Sequence, residues 1–284
     1  MTAPPASTRL PDGNLSFSEF AAQPDDQLDL YVGALLLARD ARPGVNWRAI
    51  DDQLTALAAP LCHLAPARLS DQAEGLALEL GQRFGLRGNA ADYYDPDNSF
   101  IDQVLLRRVG IPISLSLVYI EVARRAGMQA AGVGFPGHFL VRLDAPGDHL
   151  MLDPFAAGRT LDTYELEQRM SQAGWPRGVL DLGLLDPSPV RLILARMLTN
   201  LRSVYLKRAQ LPRLLLILDR MVSLLPNSKE ALRDRGVLNA ELGAPEAARS
   251  DLNEYLRRWP NAEDTGAVRG VLERVGPATS RSLN

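Results

Sequence analysis

The sequence predicts an α+β domain with a helical N-terminal part and a small antiparallel sheet, followed by a tandem α-helical repeat. Three observations carry this expectation. Apolar residues recur at helical spacing from about Gln27 to Leu86. Three short alternating runs then follow Gly127, each bounded by turn-forming residues. Beyond residue 189, two apolar helices close at Pro226 and Pro260, which stand 34 residues apart.

Composition bounds the function classes. A chain of 284 residues accommodates two domains, each large enough to bury its own core. A hydrophobic share of 46% with 23% charge argues against wholesale disorder. The net charge of −3 offers no electrostatic footprint for nucleic acid or an anionic membrane. One cysteine, Cys62, excludes an internal disulfide framework and suits a reducing compartment. The opening MTAPPASTRL has no apolar core of a signal peptide, and no run of uncharged apolar residues reaches the length of a membrane span. A cytoplasmic location is therefore expected.

Residues 1–18, rich in Pro, Ser and Gly, read as a flexible arm. Helices are expected at Gln27–Asp40, Trp47–Cys62 and Pro66–Arg83, punctuated by Pro43-Gly44, Pro60 and Gly85. After a polar loop, Ser99 looks like an N-cap with Asp102 three positions on, opening a short helix that stops at Gly110. Pro112 then opens a helix that is apolar around most of its girth and ends at Gly127, so it belongs in the core. Strands are expected at 130–135, 138–143 and 148–152, the last two joined by the four-residue loop Asp144–Gly147. The domain spans residues 19–185, and the DPSP stretch at 186–189 marks its end. Residues 186–265 form the repeat region, and 266–284 a C-terminal tail. The 34-residue period is that of the tetratricopeptide repeat, with Gly236 and Ala248 as the small residues where its two helices meet. The first copy carries Arg202 and Leu214 at the corresponding positions.

The chemistry-bearing residues lie on the hairpin. A four-residue loop sets Leu143 opposite Asp148 and, counting back along both strands, His138 directly opposite Asp153 on the same face. Arg142 and His149 share that face, which makes it the more polar one and a candidate cleft border. A carboxylate on one ring nitrogen fixes the tautomer and leaves the other nitrogen available as a base. The alternative is a structural pair that ties a sheet edge. The nucleophile types at the start of the buried helix are Ser114 and Ser116, and a serine in a first helical turn is equally a capping residue. Gly132, Gly134 and Gly137 spell a dinucleotide motif but lead into a strand, not a helix, so no cofactor is expected. His138, His149 and Asp153 match no standard zinc spacing, and no metal is expected either.

The run YYDPDNSFIDQVLLRRVGIPISLSLVYIEVARRAGMQAAGVGFPGHFLVRL, the LDPF that follows, and RMLTNLRSVYL and RDRG further on resemble the transglutaminase-like SirB-one-type family. The resemblance covers residues from about 20 to about 265. It implies a papain-like fold with C-terminal tetratricopeptide-like repeats, mostly bacterial relatives, and a related domain in some eukaryotic F-box proteins. The wider superfamily carries a Cys-His-Asp triad; His138 matches its His and Asp153-Pro154 its Asp-Pro. Pro112 stands at the position of the Cys, and Ser114 lies two residues beyond. The implied function is a non-enzymatic or weakly active adaptor that binds a protein or peptide through the repeat region. The alternative is a cofactor-free hydrolase or acyl-transferase using Ser114, His138 and Asp153.

Overall fold

The computed structural model describes residues 13–175 and 180–276, which divide into two units. One comprises residues 13–16 and 23–197; the other comprises 17–22 and the chain from 198 onward. Helix α1 (Phe17–Ala21) buries Phe17 and Phe20, three positions apart on one face. The expected arm therefore stops short of Phe17, because two aromatic rings gain more from burial than a tether loses in freedom. Residues 1–12 lie outside the described residues.

In the first unit, α2 (Leu30–Ala41) starts at Asp29, whose carboxylate accepts the Val32 N–H. Asn46 caps α3 (Trp47–Ala58) in the same way through the Ala49 N–H. Helix α4 (Leu69–Leu76) widens into a π-helical turn over Ala77–Arg83. Gly81 in that turn faces the Ala157 carbonyl so closely that a Cβ would lie 2.3 Å from its oxygen. Strand β1 (Arg87–Gly88) pairs in parallel with β2 (Val109–Gly110), and α5 (Ile101–Arg107) lies between them in sequence. The expected Ser99 cap is not formed. Ser99 ends a 3-10 turn over Pro96–Ser99, Phe100 stands at the N-cap, and Asp102 instead accepts two bonds from Arg42 at 2.7 and 2.8 Å.

Pro112 does open α6 (Pro112–Arg125), every residue of which is buried from Pro112 to Ala123. Gly127 follows at φ +86°, the left-handed conformation that ends a helix. The main sheet is antiparallel, in the order β3 (Gln129–Val133), β4 (Leu140–Ala145), β5 (Asp148–Asp153) and β6 (Arg159–Leu161). The β4–β5 loop has two residues, not four: Ala145 pairs with Asp148, and Leu143 with Leu150. Pro146 and Gly147, the latter at φ +80°, suit the two central positions of a tight turn, so Asp144 and Ala145 continue the strand. The true register is thus shifted by two residues from the expected one.

Both faces of this sheet are covered. Phe139, Val141, Leu143 and Leu152 are at most 1% exposed, and α6 packs against β3 and β4. On the other face Val133, Leu140 and Met151 join Leu166 and Met170 of α7 (Thr163–Gln172), together with Leu180 and Leu185, in a second small core. The face expected to be polar is therefore largely apolar, because Leu140 and Met151 occupy it between the charged residues.

The boundary between units falls at Met197/Leu198, inside α8 (Val190–Lys207), and not at 186–189. Proline and serine do interrupt the chain there, but α8 begins at once, and Ile193 on its first turns approaches the Gly132 backbone. In the second unit follow α9 (Leu211–Leu224), α10 (Lys229–Glu241), α11 (Pro245–Arg258) and α12 (Thr265–Val275). Helices α9 and α11 begin and end 34 residues apart, as the proline spacing predicts. Helix α1 packs on α9 within this unit. Residues 265–275 of the expected tail form α12, whose Val268 joins Leu232, Leu252 and Tyr255 in one core; residues 277–284 lie outside the described residues. No helix among the described residues is long and apolar enough to cross a membrane.

Gly236 of α10 meets Leu252 and Asp251 of α11, one turn beyond the expected Ala248. A Cβ there would lie 2.6 Å from a Leu252 methyl and 3.0 Å from the Asp251 Cβ. Gly236→Val should destabilise the repeat by roughly 1–3 kcal/mol through overpacking. A thermal melt of that variant coinciding with the parent's would show that the close approach has no energetic role.

Candidate functional site

The sequence places Asp153 at the end of β5 and directly before Pro154, where the chain must leave the sheet. Its carboxylate caps the 3-10 turn Pro154–Ala156, Oδ1 accepting the N–H groups of Phe155 at 3.0 Å and Ala156 at 3.3 Å. The same oxygen accepts the His138 Nε2–H at 2.8 Å, and Oδ2 accepts the Arg169 guanidinium of α7 at 2.6 Å. Asp153 is 1% exposed. Burial by itself would raise its pKa; the His138 bond, the charges of His138 and Arg169 and the Ala156 N–H more than offset this and hold it below the usual carboxylate range. An ionised Asp153 assigns the proton of neutral His138 to Nε2 and leaves Nδ1 as the acceptor nitrogen.

His138 precedes β4 and is not cross-strand to Asp153. The ladder sets Val141 opposite Leu152, so Asp153 stands level with Leu140 and reaches His138 diagonally, two residues along the same face. The imidazole is wedged edge-on against Phe155, with ring centroids 6.1 Å apart. Phe155 in turn meets the edge of Tyr93 at 6.3 Å, and Tyr93 meets Tyr94 at 5.5 Å. The His138 carbonyl accepts Arg196 of α8 at 2.7 Å.

Tight backbone packing holds this arrangement. Ala157 and Gly158 turn the chain into β6 with φ of +57° and +81°. A Cβ on Gly158 would stand 2.8 Å from the Tyr119 ring and 3.1 Å from the Ala77 Cα, so α6, the π-helical turn and the 153–158 loop close on one another there. The Tyr119 hydroxyl is fully buried without a hydrogen-bond partner among the described residues. Burial, and next the Asp153 charge, push its pKa up, so it stays protonated.

Ser114 is not brought to the His–Asp pair. It is buried in the first turn of α6, and its Oγ donates to the Asn98 carbonyl at 2.5 Å while accepting the Ile111 N–H at 3.2 Å. This is the capping use of a first-turn serine. Ser116 is also buried, its Oγ 3.5 Å from the Phe139 carbonyl. His149 lies exposed near the hairpin tip opposite Asp144. Among the described residues no three His, Cys, Asp or Glu side chains gather as a metal ion would require. The site residues not singled out from sequence are Arg169, Arg196, Phe155 and Tyr93. Phe155 and Tyr93 sat within the quoted motifs, whereas the two arginines lie on helices whose docking no local pattern reveals.

Residues 48–199 match the transglutaminase-like superfamily, and residues 201–273 match the tetratricopeptide repeat. A UPF0162 protein of Xylella fastidiosa is 39% identical over 265 residues, covering 90% of this chain and 93% of that protein. Protein SirB1 of Salmonella typhimurium is 25% identical over 201 residues, 70% of this chain and 74% of that protein. F-box only protein 21 of Homo sapiens is 29% identical over 203 residues, which is 68% of this chain and 30% of that protein. No solved structure matches the chain. With its His–Asp hairpin, its apolar central helix and the 34-residue repeat that follows, this chain belongs to the transglutaminase-like superfamily, as a SirB-type member carrying C-terminal tetratricopeptide repeats.

Proposed function

We propose that the protein is a cytoplasmic bacterial adaptor, with no or weak enzymatic activity, that binds a protein or peptide partner through its repeat unit. The observation that carries this reading is a groove of about 530 Å³ within that unit. Leu206, Leu214, Val237, Val268 and Val271 line its apolar part. The charges at its rim are mutually paired: Arg202 and Arg233 bond Asp234, and Arg233 also bonds Asp264 at 2.5 Å. An apolar trough with neutralised edges suits an apolar peptide segment better than a charged small molecule. Leu206, 56% exposed, is a large apolar side chain with no cover of its own.

The other reading is a serine hydrolase or acyl-transferase using Ser114, His138 and Asp153. What favours it is the oriented imidazole with Nδ1 unengaged among the described residues. What weighs against it is the Ser114 hydroxyl, committed to the Asn98 carbonyl, and Pro112 at the start of α6, which has no nucleophilic group.

A partner captured by the full chain should be lost with Leu206→Glu and retained with His138→Ala. Retention in the first variant with loss in the second would move binding away from the groove. The purified protein should also show no amidase, protease or transglutaminase activity. Labelling of Ser114 by a fluorophosphonate probe, abolished in both Ser114→Ala and His138→Ala, would favour the hydrolase instead.

In the adaptor reading Asp153 braces the fold. Its depressed pKa stabilises the folded state fully above the unfolded carboxylate value, about 3.9, and this contribution disappears as pH falls through the folded value. Asp153→Asn should cost about 3 kcal/mol at pH 7, near the lower end for breaking a buried pair, because Arg169 and His138 keep some contact with water. The variant should also lose less further stability than the parent between about pH 5 and pH 3. Denaturant melts across that range check both; parallel acid limbs for the two proteins would remove the brace.

A further inference from the structure

Two arginines approach the His–Asp pair, and only one has an acid. Arg169 is spent on Asp153. Arg196 donates through one nitrogen to the His138 carbonyl and lies over the Phe139 ring, its guanidinium carbon 5.6 Å from the centroid. No carboxylate pairs with it among the described residues. Burial lowers its pKa, and its one resolved electrostatic neighbour is the Tyr93 hydroxyl. A guanidinium has five N–H donors, and a half-buried one with a single carbonyl partner keeps strong, unspent donor capacity.

The groups around it share that condition. The Tyr93 hydroxyl makes no hydrogen bond among the described residues, and burial raises its pKa, so it remains a donor. Tyr93 is 43% exposed, which opens this corner to solvent. Its ring and that of Phe155 form an aromatic edge running to His138. Gly134 leaves room on the other side: a Cβ there would stand 3.5 Å from an Arg196 nitrogen and 3.2 Å from the Ser188 Oγ, which accepts the Gly134 N–H. The local charge count is simple. Asp153 and Arg169 cancel, and Arg196 leaves one positive charge in surplus.

We infer that Arg196, Tyr93 and the His138–Phe155 edge form a binding site for a carboxylate attached to an apolar or aromatic body. A single surplus charge suits a monoanion better than a phosphate dianion, and the planar fork of arginine matches a carboxylate in two parallel bonds. The Tyr93 hydroxyl supplies a further donor, and the aromatic edge takes the apolar body. The carboxylate belongs either to a free small acid or to the C-terminus of a peptide. The site lies wholly within the first unit and does not depend on the groove of the repeat unit.

The test titrates the full-length protein with N-acetylphenylalanine, N-acetylphenylalaninamide, benzoate and inorganic phosphate, followed by NMR or calorimetry. Saturable binding of N-acetylphenylalanine or benzoate is expected, with the neutral amide weaker by about tenfold or more because it forfeits the charge-assisted bonds. N-acetylphenylalanine outcompeting benzoate assigns a peptide C-terminus; the reverse assigns a free acid. Arg196→Met should weaken the carboxylate about tenfold or more, and Tyr93→Phe severalfold, since each removes donors to a charged group. Tyr93→Phe deletes one oxygen from an exposed ring and serves as the test if Arg196→Met does not fold. Absence of saturable binding, equal affinity for acid and amide, tighter binding of phosphate, or affinity undiminished in the folded variants overturns the assignment.

Discussion

The buried carboxylate of Asp153 accepts bonds from four donors that come from three parts of the chain: the segment before β4, the turn after β5, and α7. A carboxylate at 1% exposure survives ionised only when its lone pairs are satisfied and its charge is countered. That condition sets much of the first unit. Arg169 must reach Oδ2, which brings α7 onto the sheet with Leu166 and Met170 inward and closes the second core. The Phe155 and Ala156 amides must face Oδ1, which forces the tight exit through Ala157 and Gly158 and sets the Gly158 backbone against Tyr119. The orientation of His138 is one consequence among several.

That account explains which features of the site were legible in the sequence. Strand side chains repeat with period two, so a register error of two residues leaves every side chain on its own face. The hairpin was read with a four-residue loop where Pro146 and Gly147 make a two-residue turn, yet His138 and Asp153 stayed together for that reason. An error of one residue would have separated them. The polar face was misread because Arg142 and His149 were counted while Leu140 and Met151 between them were not. Arg169 could not have been found locally, since its partner lies 16 residues away across a loop and a strand. Ser114 carried both a capping and a nucleophilic reading, and the carbonyl that decides the matter, Asn98, sits in a segment with no sequence signal for it.

The repeat unit divides in the same way. Proline spacing sets the period, and helices α9 and α11 follow it at both ends. The period says nothing about what happens after its last copy, so α12 passed for a tail until Val268 was seen in the core with Leu252 and Tyr255. The first copy looked degenerate because Arg202 occupies a position that is glycine in the second. Its guanidinium bonds Asp234, which also takes Arg233, so the large charged residue is accommodated by the next helix and becomes part of the groove rim. A departure from a repeat's pattern is thus satisfied by a neighbour in the following copy, which is the nearest-neighbour logic of stacked repeats.

A comparable pairing argument separates the two arginines beside His138. Desolvating a guanidinium is costly unless an acid or several carbonyls take its donors. For Arg169 the acid is present, and the pair explains itself as part of the brace. For Arg196 the compensation in the protein is one carbonyl and one aromatic face, whose combined contribution is modest beside the burial of a charge. Satisfying the backbone carbonyl of His138 needs only one neutral donor, and stacking on Phe139 needs no charge. Neither contact therefore accounts for a cation at this place, and the remaining physical use of that charge is an anion from outside the first unit's own side chains.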